Sequence, residues 1–461
     1  MGSNPENNTT TRRGFLKSAA VAGAAVAATP AVAKSAVFSV APGRVIGAND
    51  RINIAHVGTG VQGYGAHVRL LKEKASENNT QQVAVCDLYT RRLRQAGTEL
   101  GLSESAWYKD YRKMLEQKDI DAVVIATSDN WHAPVSNDAM NAGKHVYCEK
   151  PLCKTLDEAW SMFDTVKKTK RTFQVGSQGT SDPMYYTIRD LVKTGKIGKL
   201  VMGQASYNRG DNRIGEWNSY GDNPYKAPHN MAGPNATGDN HIDWETFRRG
   251  QGPKEWDPDR FFRWRKYWAY GTGLVGDLMP HKLHPLYIAM GISTVGMAGF
   301  PRRVSAGGVL AVQKVNPDTQ KPDREVPDFT YTTVDFDDFS MIIMSSTVNE
   351  QGSRNMLRGN KATILFAGDS AQIIPERAFS DEVEAETVAL NGNGEPIPVH
   401  QKNWIDCIRT GKEPNGNIDL AVRVQTAISL GEMAYRNNET FTFNPADRST
   451  TPNLKTLAVT Y

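Results

Sequence analysis

The stretch Gly58-Thr59-Gly60-Val61-Gln62-Gly63 constrains this chain more than any other. It follows an apolar, β-rich run, Arg51 to Val57, and precedes His67 to Lys74, which has helical spacing. A second β-rich run, Gln82 to Cys86, ends at Asp87, 24 residues beyond Gly63. Strand, glycine turn, helix, strand and acid, in that order, predict a doubly wound parallel sheet that holds a dinucleotide. Gly58 permits the tight turn, Gly60 lets a pyrophosphate approach the backbone, and Gly63 lets helix and strand pack closely. Thr59, Val61 and Gln62 complete the loop, and the helix start behind them offers unpaired N–H groups and a positive dipole end.

Asp87 is placed to accept hydrogen bonds from the adenosine ribose. A 2′-phosphate there meets like charge, so NAD is expected over NADP. Arg91 and Arg92 lie close by and soften that preference, which leaves NADP open. Asp121 to Thr127 is a continuous apolar run ending in a small polar residue, as in a buried parallel strand. Ligands in such sheets sit beyond the strand carboxyl ends, so Thr127 to His132, including Asn130, is expected to line the cofactor crevice. A helix is expected over Pro134 to Ala142, stopped by Gly143. A further strand, Lys144 to Cys148, runs into Glu149-Lys150-Pro151.

The N-terminus reads as an address. Thr11-Arg12-Arg13-Gly14-Phe15-Leu16-Lys17 precedes an alanine-rich run, Ala19 to Ala28, and the small-residue exit Ala31-Val32-Ala33. Basic region, short apolar core and A-x-A site make a secretory signal, and the paired arginines make it a twin-arginine signal. Export to a periplasmic or other extracytoplasmic space is expected. The run is too short and too weakly apolar for a stable membrane span. Removing Arg12, Arg13, Lys17 and Glu6 from the 54 basic and 50 acidic residues leaves 51 against 49. A chain this close to neutral has no global field for nucleic acid. The four cysteines, Cys86, Cys148, Cys153 and Cys407, are too few for a disulfide framework, and no pair has zinc-ligand spacing.

The chain is divided into a signal (1–33), a linker (34–50), a dinucleotide-binding domain (51–173), a second α+β domain (174–435) and a tail (436–461). In the second domain, strands are expected over Val304–Val315, Phe329–Phe336, Ser340–Val348 and Ala362–Ala367, and helices over Gln401–Thr410 and Leu420–Tyr435, packing back near the first domain. Asn349 to Asn360 is polar and joins strands. Tyr207 to Tyr270 is rich in Gly, Asn, Pro and aromatics.

From Ile54 to about Arg436 the chain resembles the glucose–fructose oxidoreductase / inositol dehydrogenase / rhizopine catabolism (Gfo/Idh/MocA) family. The resemblance rests on Gly58 to Gly63 with Asp87, Ala126-Thr127 followed by His132, and Gly143-Lys144-His145-Val146 leading into Glu149-Lys150-Pro151. It continues through Gln174-Val175-Gly176 and Gly195-Lys196-Ile197-Gly198 to Asp277-x-x-x-His281. It implies a Rossmann domain followed by a large, open, mostly antiparallel sheet. It also implies NAD or NADP at the junction, a sugar or polyol substrate over the sheet, and homo-oligomers, dimers or tetramers, formed through that sheet.

An ammonium at a strand carboxyl end, such as Lys150 after Glu149, holds a substrate oxygen and tunes proton transfer. The family correspondence gives Lys150 a catalytic or substrate-orienting role, often beside a cis proline bond. Pro280 fits only a first helical turn, so Asp277 is expected near an N-cap and on one face with His281. An imidazole takes a hydroxyl proton as hydride leaves carbon, which makes His281 the expected general base and Asp277 its supporting carboxylate. The plainer alternative makes Asp277 a cap and His281 a packing residue. Where the family often has an acid three residues after that histidine, this chain has His284. A zinc site at Asp277, His281 and His284 lacks supporting ligands, so no metal is expected. Gln178, Trp264, Tyr267 and His284 are the expected substrate contacts, aromatic faces suiting sugar C–H faces.

The expected activity is hydride transfer between a sugar, glycoside or cyclic polyol hydroxyl and a tightly retained nicotinamide cofactor. The alternative is an NAD-dependent glycosidase or lyase that oxidises transiently, eliminates and returns the hydride. Family members that do this lack Glu-Lys-Pro, which favours the dehydrogenase. A noncatalytic binding protein is disfavoured by the retained Lys150, Asp277 and His281.

Overall fold

The computed structural model describes residues 50–452 except 211, 212, 214, 220, 221 and 393. The expected signal and all but the last residue of the expected linker lie outside the described residues.

Six short, apolar runs form a parallel sheet: β1 (Ile52–Val57), β2 (Thr80–Cys86), β3 (Trp107–Tyr108), β4 (Ala122–Ile125), β5 (His145–Glu149) and β6 (Phe173–Gly176). Their order is β3-β2-β1-β4-β5-β6. The chain starts in the middle, builds outward to one edge, then crosses to build the other, and the crossover leaves a crevice beyond the carboxyl ends of β1 and β4. β4 is buried throughout, as a strand covered on both faces must be. The sheet runs through Gly176, three residues past the expected boundary at 173/174, because β6 pairs with β5 from Phe173 to Gly176.

After β1 the helical backbone winds through Gly63–Arg69 and Leu70–Glu73. Helix α1 (Thr90–Glu99) follows β2, and α2 (Asp129–Asn141) follows β4. α2 begins five residues before the expected Pro134. Proline lacks the N–H that would bond the Asn130 carbonyl, but Arg249 Nη1 donates to that carbonyl at 2.7 Å, so the helix runs through. α3 (Leu156–Thr169) opens on a reciprocal cap: Thr155 Oγ1 accepts from Glu158 N–H and the Glu158 carboxylate accepts from Thr155 N–H.

The second sheet has ten strands: β7 (Leu200–Asn208), β8 (Arg303–Val309), β9 (Phe329–Asp335), β10 (Ser340–Ser346), β11 (Met356–Gly359), β12 (Ala362–Ala367), β13 (Ser370–Pro375), β14 (Glu386–Ala389), β15 (Phe441–Asn444) and β16 (Ser449–Pro452). Their order is β14-β13-β12-β11-β7-β10-β9-β8-β15-β16. β7 and β10 run parallel, and the remaining recorded pairings are antiparallel. This is the mostly antiparallel open sheet expected. The strand expected to reach Val315 ends at Val309, because the Asp328 carboxylate accepts from the backbone N–H groups of Ala311, Val312 and Gln313. The polar joint at 349–360 contains β11, and the expected tail supplies β15, which pairs with β8, and β16, which pairs with β15.

One face of this sheet is buried through Met341, Ile343, Val334 and Leu357. On the opposite face Tyr331, Ile342, Met344 and Met356 are exposed or half-buried. Short helix α4 (Gly273–Asp277) and α5 (Pro280–Ala289) pack against strands of the second sheet. α6 (Ile397–Thr410) presses Trp404, Ile405 and Ile408 onto Ile52, Ile54, Val124 and Tyr147 of the first sheet. α7 (Ile418–Asn437) is buried on nearly every side. Its Arg423 is fully buried and donates to the carbonyls of Asp419, Gly296 and Ala298 at 2.6, 2.6 and 2.7 Å. Among the described residues, no helix is long and apolar enough to cross a membrane.

Candidate active site

The glycine turn is shaped for a close approach. Gly58 has φ +85°, and a Cβ there would lie 2.6 Å from the Ala126 carbonyl oxygen. A Cβ on Gly63 would sit 2.0 Å from the Gly58 carbonyl oxygen, so the helix packs directly on the turn. Thr59 is turned inward, its N–H and Oγ1 donating to Asp87 Oδ2 at 2.7 and 3.1 Å. Asp87 Oδ1 accepts from Tyr89 N–H at 2.8 Å. Asp87 therefore fastens the turn as well as lining the crevice.

A cleft of about 360 Å³ runs from this turn to the second domain. Gly58, Gly60, Val61, Gln62, Asp87 and Arg92 line its first end, Thr127 and Glu149 its middle, and Lys150, Gln178, Trp264, Asp277 and His281 its far end. The far end sits where β5 stops and α4 meets α5. Lys150 follows Glu149 at the carboxyl end of β5, and the Lys150–Pro151 bond is cis.

Lys150 Nζ donates to the Asp277 backbone carbonyl at 2.6 Å and to Asp277 Oδ1 at 3.1 Å. Arg265 Nε donates to the same Oδ1 at 2.9 Å, and Trp217 Nε1 to Oδ2 at 3.1 Å. Burial pushes the Asp277 carboxyl up, but Lys150 and Arg265 outweigh it and hold the group well below the usual carboxylate range. Asp277 ends α4, while the residue before α5 is Met279. It is therefore not the expected cap; its carboxylate bonds to Lys150, Arg265 and Trp217, and it acts on His281 through its charge, which raises that imidazole.

The partner of His281 is Glu395. His281 Nδ1 lies 2.8 Å from Glu395 Oε1. The His281 ring stacks on Tyr207 at 4.3 Å and 6° between planes, and Tyr207 OH donates to Glu395 Oε2 at 3.2 Å. Burial pushes the Glu395 carboxyl up, but its bond to His281 prevails and holds it low. A carboxylate there requires Nδ1–H as donor, which leaves the Nε2 lone pair as the ring's basic site. Burial first, and Lys150 second, hold His281 below the ordinary histidine range.

Glu149 is buried at the middle of the cleft. Its Oε1 accepts from His67 Nε2 at 2.8 Å, Gln62 Nε2 at 3.0 Å and Gln178 Nε2 at 3.3 Å. Gln401 Nε2 donates to His67 Nδ1 at 2.9 Å, which puts the His67 proton on Nε2. Burial raises the Glu149 carboxyl, but His67 and then Lys150 bring it down to about 2.

Six expected contacts do not line the cleft: Thr59 and Gly63, which build the turn from behind, and Asn130, His132, Tyr267 and His284. Asn130 and His132 fall inside α2 because that helix starts early. Asn130 Oδ1 accepts from Ser128 Oγ, and His132 Nδ1 donates to the Pro151 carbonyl at 2.7 Å, where it holds the turn that carries Lys150. Tyr267 OH donates to Asp259 Oδ2 at 2.6 Å within a buried charge network. His284 is fully buried, bonded to the Pro280 carbonyl, and burial pushes it down to about 3. Trp217, Tyr207, Arg265 and Glu395 are the site residues not assigned these roles from sequence. The aromatic stretch pointed to Trp217; nothing local pointed to Glu395.

An adenosine-ended dinucleotide fits this chain's own features. Gly60 brings bare backbone to the cleft beneath the Arg92 guanidinium, Asp87 lies just beyond the end of β2 beside it, and the far end holds a cation and a base. These features define a dinucleotide-shaped cleft between a doubly wound sheet and a second, open-sheet domain. Residues 52–177 match the family described as oxidoreductase family, NAD-binding Rossmann fold (GFO_IDH_MocA). Residues 52–177 thus match a family model for an NAD-binding Rossmann fold, which is the cofactor fold the sequence motifs implied. A glycosyl hydrolase family 109 protein of Shewanella sp. (strain ANA-3) is 31% identical over 212 residues, 42% of this chain and 45% of that one. The chain spans about half the length of the curated relatives it matches. An NAD binding oxidoreductase from Klebsiella pneumoniae superposes with TM-score 0.62 at 18% identity, covering 85% of this chain and 99% of that one. A levoglucosan dehydrogenase in complex with NADH gives TM-score 0.61 at 17% identity, over 87% and 99%. These structures share the fold.

Proposed function

We propose that the protein is an exported NAD-dependent oxidoreductase that moves a hydride between a carbohydrate, glycoside or cyclic polyol hydroxyl and a tightly held nicotinamide cofactor. The observation that carries this reading is the convergence of Lys150, Asp277 and His281 at the far end of the cleft that starts at the glycine turn. Bound NAD supplies the hydride acceptor. Gly60, Val61 and Asp87 hold its adenosine and phosphate end, and Thr127 and Glu149 flank its path. Lys150 holds the reacting oxygen and stabilises negative charge on it. His281 Nε2 accepts the hydroxyl proton, and Glu395, bonded to Nδ1, keeps the ring in the tautomer that can do so. Asp277 holds Lys150 in place. Trp264 offers an aromatic face at the same end.

Nucleotide retention is part of the proposal, because free NAD is scarce outside the cytoplasm and a cofactor lost each turnover is not replaced. Export rests on residues 11–33. A homo-oligomer formed through the outer face of the second sheet accords with the register of Tyr331, Ile342, Met344 and Met356 there, and size-exclusion with light scattering tests it. The relatives named as glycosyl hydrolases favour a second reading, transient oxidation followed by elimination with no net redox. Product analysis on a glycoside separates the two. Accumulated keto sugar supports the dehydrogenase, and a released aglycone without keto sugar supports elimination.

A further inference from the structure

We infer that Asp222, carried by the second domain, sets coenzyme selectivity by disarming Arg92 as a receptor for a 2′-phosphate. The inference rests on the dinucleotide reading of the cleft and adds the residue that chooses between its two forms.

In a Rossmann domain the acid at the end of β2 takes the ribose 2′-hydroxyl, whereas a nearby arginine accommodates a 2′-phosphate. This chain has both. Arg92, in the first turns of α1, lines the cleft together with Asp87 and Gly60. Its Nη1 lies 3.2 Å from where a Gly60 Cβ would stand, so the guanidinium lies over the glycine turn. On the first domain alone, Arg92 is a cation aimed at the adenosine end.

The second domain changes that. Asp222 Oδ2 accepts from Arg92 Nη2 at 3.0 Å and from Nε at 3.2 Å, with both side chains largely covered. The Arg92 guanidinium is also flanked by the rings of Tyr89, Phe261 and Phe262 at 5.4 to 5.7 Å. Asp222 is itself held. His229 Nε2 lies 3.4 Å from Asp222 Oδ1, and His229 Nδ1 lies 3.1 Å from Tyr89 OH. The Asp222 carboxylate facing His229 Nε2 places the ring proton there, so Nδ1 accepts from Tyr89 OH, which in turn accepts from Arg91 Nε at 3.2 Å. The chain Arg91, Tyr89, His229, Asp222, Arg92 thus crosses from first domain to second and back.

The same segment is docked along the end of β2. Tyr89 bridges Ile242, Thr90 N–H donates to the His241 carbonyl at 3.0 Å, Arg91 Nη2 to Asn240 at 2.8 Å, and Arg94 pairs with Asp239 at 2.7 Å. Residues 239–242, downstream of Asp222, are thus fixed on the first domain at several points, and Asp222 itself is held by Arg92 and His229. With Asp222 in place, a 2′-phosphate meets Asp87 and Asp222 together, and Arg92 is already paired. Without it, Arg92 regains a phosphate-binding fork while Asp87 still repels.

The test uses the full chain stripped of bound nucleotide and two probes of the adenosine end alone, 5′-AMP and 2′,5′-ADP, measured by calorimetry. The parent protein is expected to bind 5′-AMP more tightly. Asp222→Ala and Asp222→Asn are each expected to move the affinity ratio toward 2′,5′-ADP by about tenfold or more. The double variant Asp222→Ala with Arg92→Ala is expected to lose that gain. A parent that already prefers 2′,5′-ADP, or Asp222 variants that bind 5′-AMP normally with an unchanged ratio, would overturn the assignment. Binding of neither probe to the parent would overturn the dinucleotide reading beneath it as well.

Discussion

Glu395 Oε1 lies 2.8 Å from His281 Nδ1 although 114 residues separate them, and the pair makes His281 Nε2 the basic atom at the far end of the cleft. A base buried beside an ammonium is easily kept neutral, and a carboxylate behind it restores the basicity that burial removes. These opposing influences can be separated by mutation.

The rate of alcohol oxidation, read as kcat/KM, is expected to rise with pH through a value below the ordinary histidine 6.5 and then level off, because only neutral His281 accepts a proton. Glu395→Gln removes a raising influence, so the acid limb moves to lower pH. The rate on the plateau falls by about 10² or more, since the imidazolium loses its counter-charge. A limb that stays in place with full activity contradicts the pairing.

Lys150→Met has the opposite effect on the limb. The Lys150 charge lowers His281, so its removal moves the acid limb upward, while kcat/KM drops by about 10² or more through loss of charge stabilisation at the reacting oxygen. A downward or absent shift in the pH profile would show that the two groups do not share a site.

Much of this arrangement was legible in the sequence, for local reasons. The glycine turn and Asp87 announce themselves within one strand–turn–helix unit, where spacing fixes geometry, whereas Lys150 and His281 were legible through the family resemblance. The errors trace to long-range partners. Pro134 reads as a helix start until Arg249, 119 residues after Asn130, supplies the missing hydrogen bond. That bond lets α2 begin early and turns Asn130 and His132 away from the cleft. Asp277 and His281, four apart, read as one helical face, but the chain breaks between α4 and α5 and each takes a different partner. Glu395 sits in a loop of Gly and Asn with no pattern of its own; only the folded second sheet brings it to His281.

Glu149 ties acid stability to the cleft. Its folded-state carboxyl is held at about 2, below its ordinary 4.5. A depressed carboxyl contributes stability that is complete above the unfolded value and is lost as pH falls from about 4.5 toward 2. The contribution is on the order of 3 kcal/mol. Urea unfolding at neutral and acid pH is expected to show that loss in the parent and a smaller one in Glu149→Gln.

Gly63→Ala places a methyl group on the Gly58 carbonyl oxygen. The turn must shift, at a cost of about 1–3 kcal/mol, and its open face over the cleft is lost. The variant is expected to unfold at a lower temperature and to purify with less bound nucleotide than the parent, read by mass spectrometry after denaturation.

Nucleotide content and its reduction in one preparation test hydride transfer at this cleft. The purified protein is denatured and its released nucleotide identified by mass spectrometry, while intact samples are screened for NADH absorbance on addition of sugars, polyols and glycosides. NAD is expected in the parent and in His281→Ala, with an NADH signal on substrate addition that the variant loses by about 10² to 10⁴ in rate. A protein that carries and binds no nicotinamide nucleotide, or a His281→Ala variant that reduces NAD at the parent's rate, would contradict that reading.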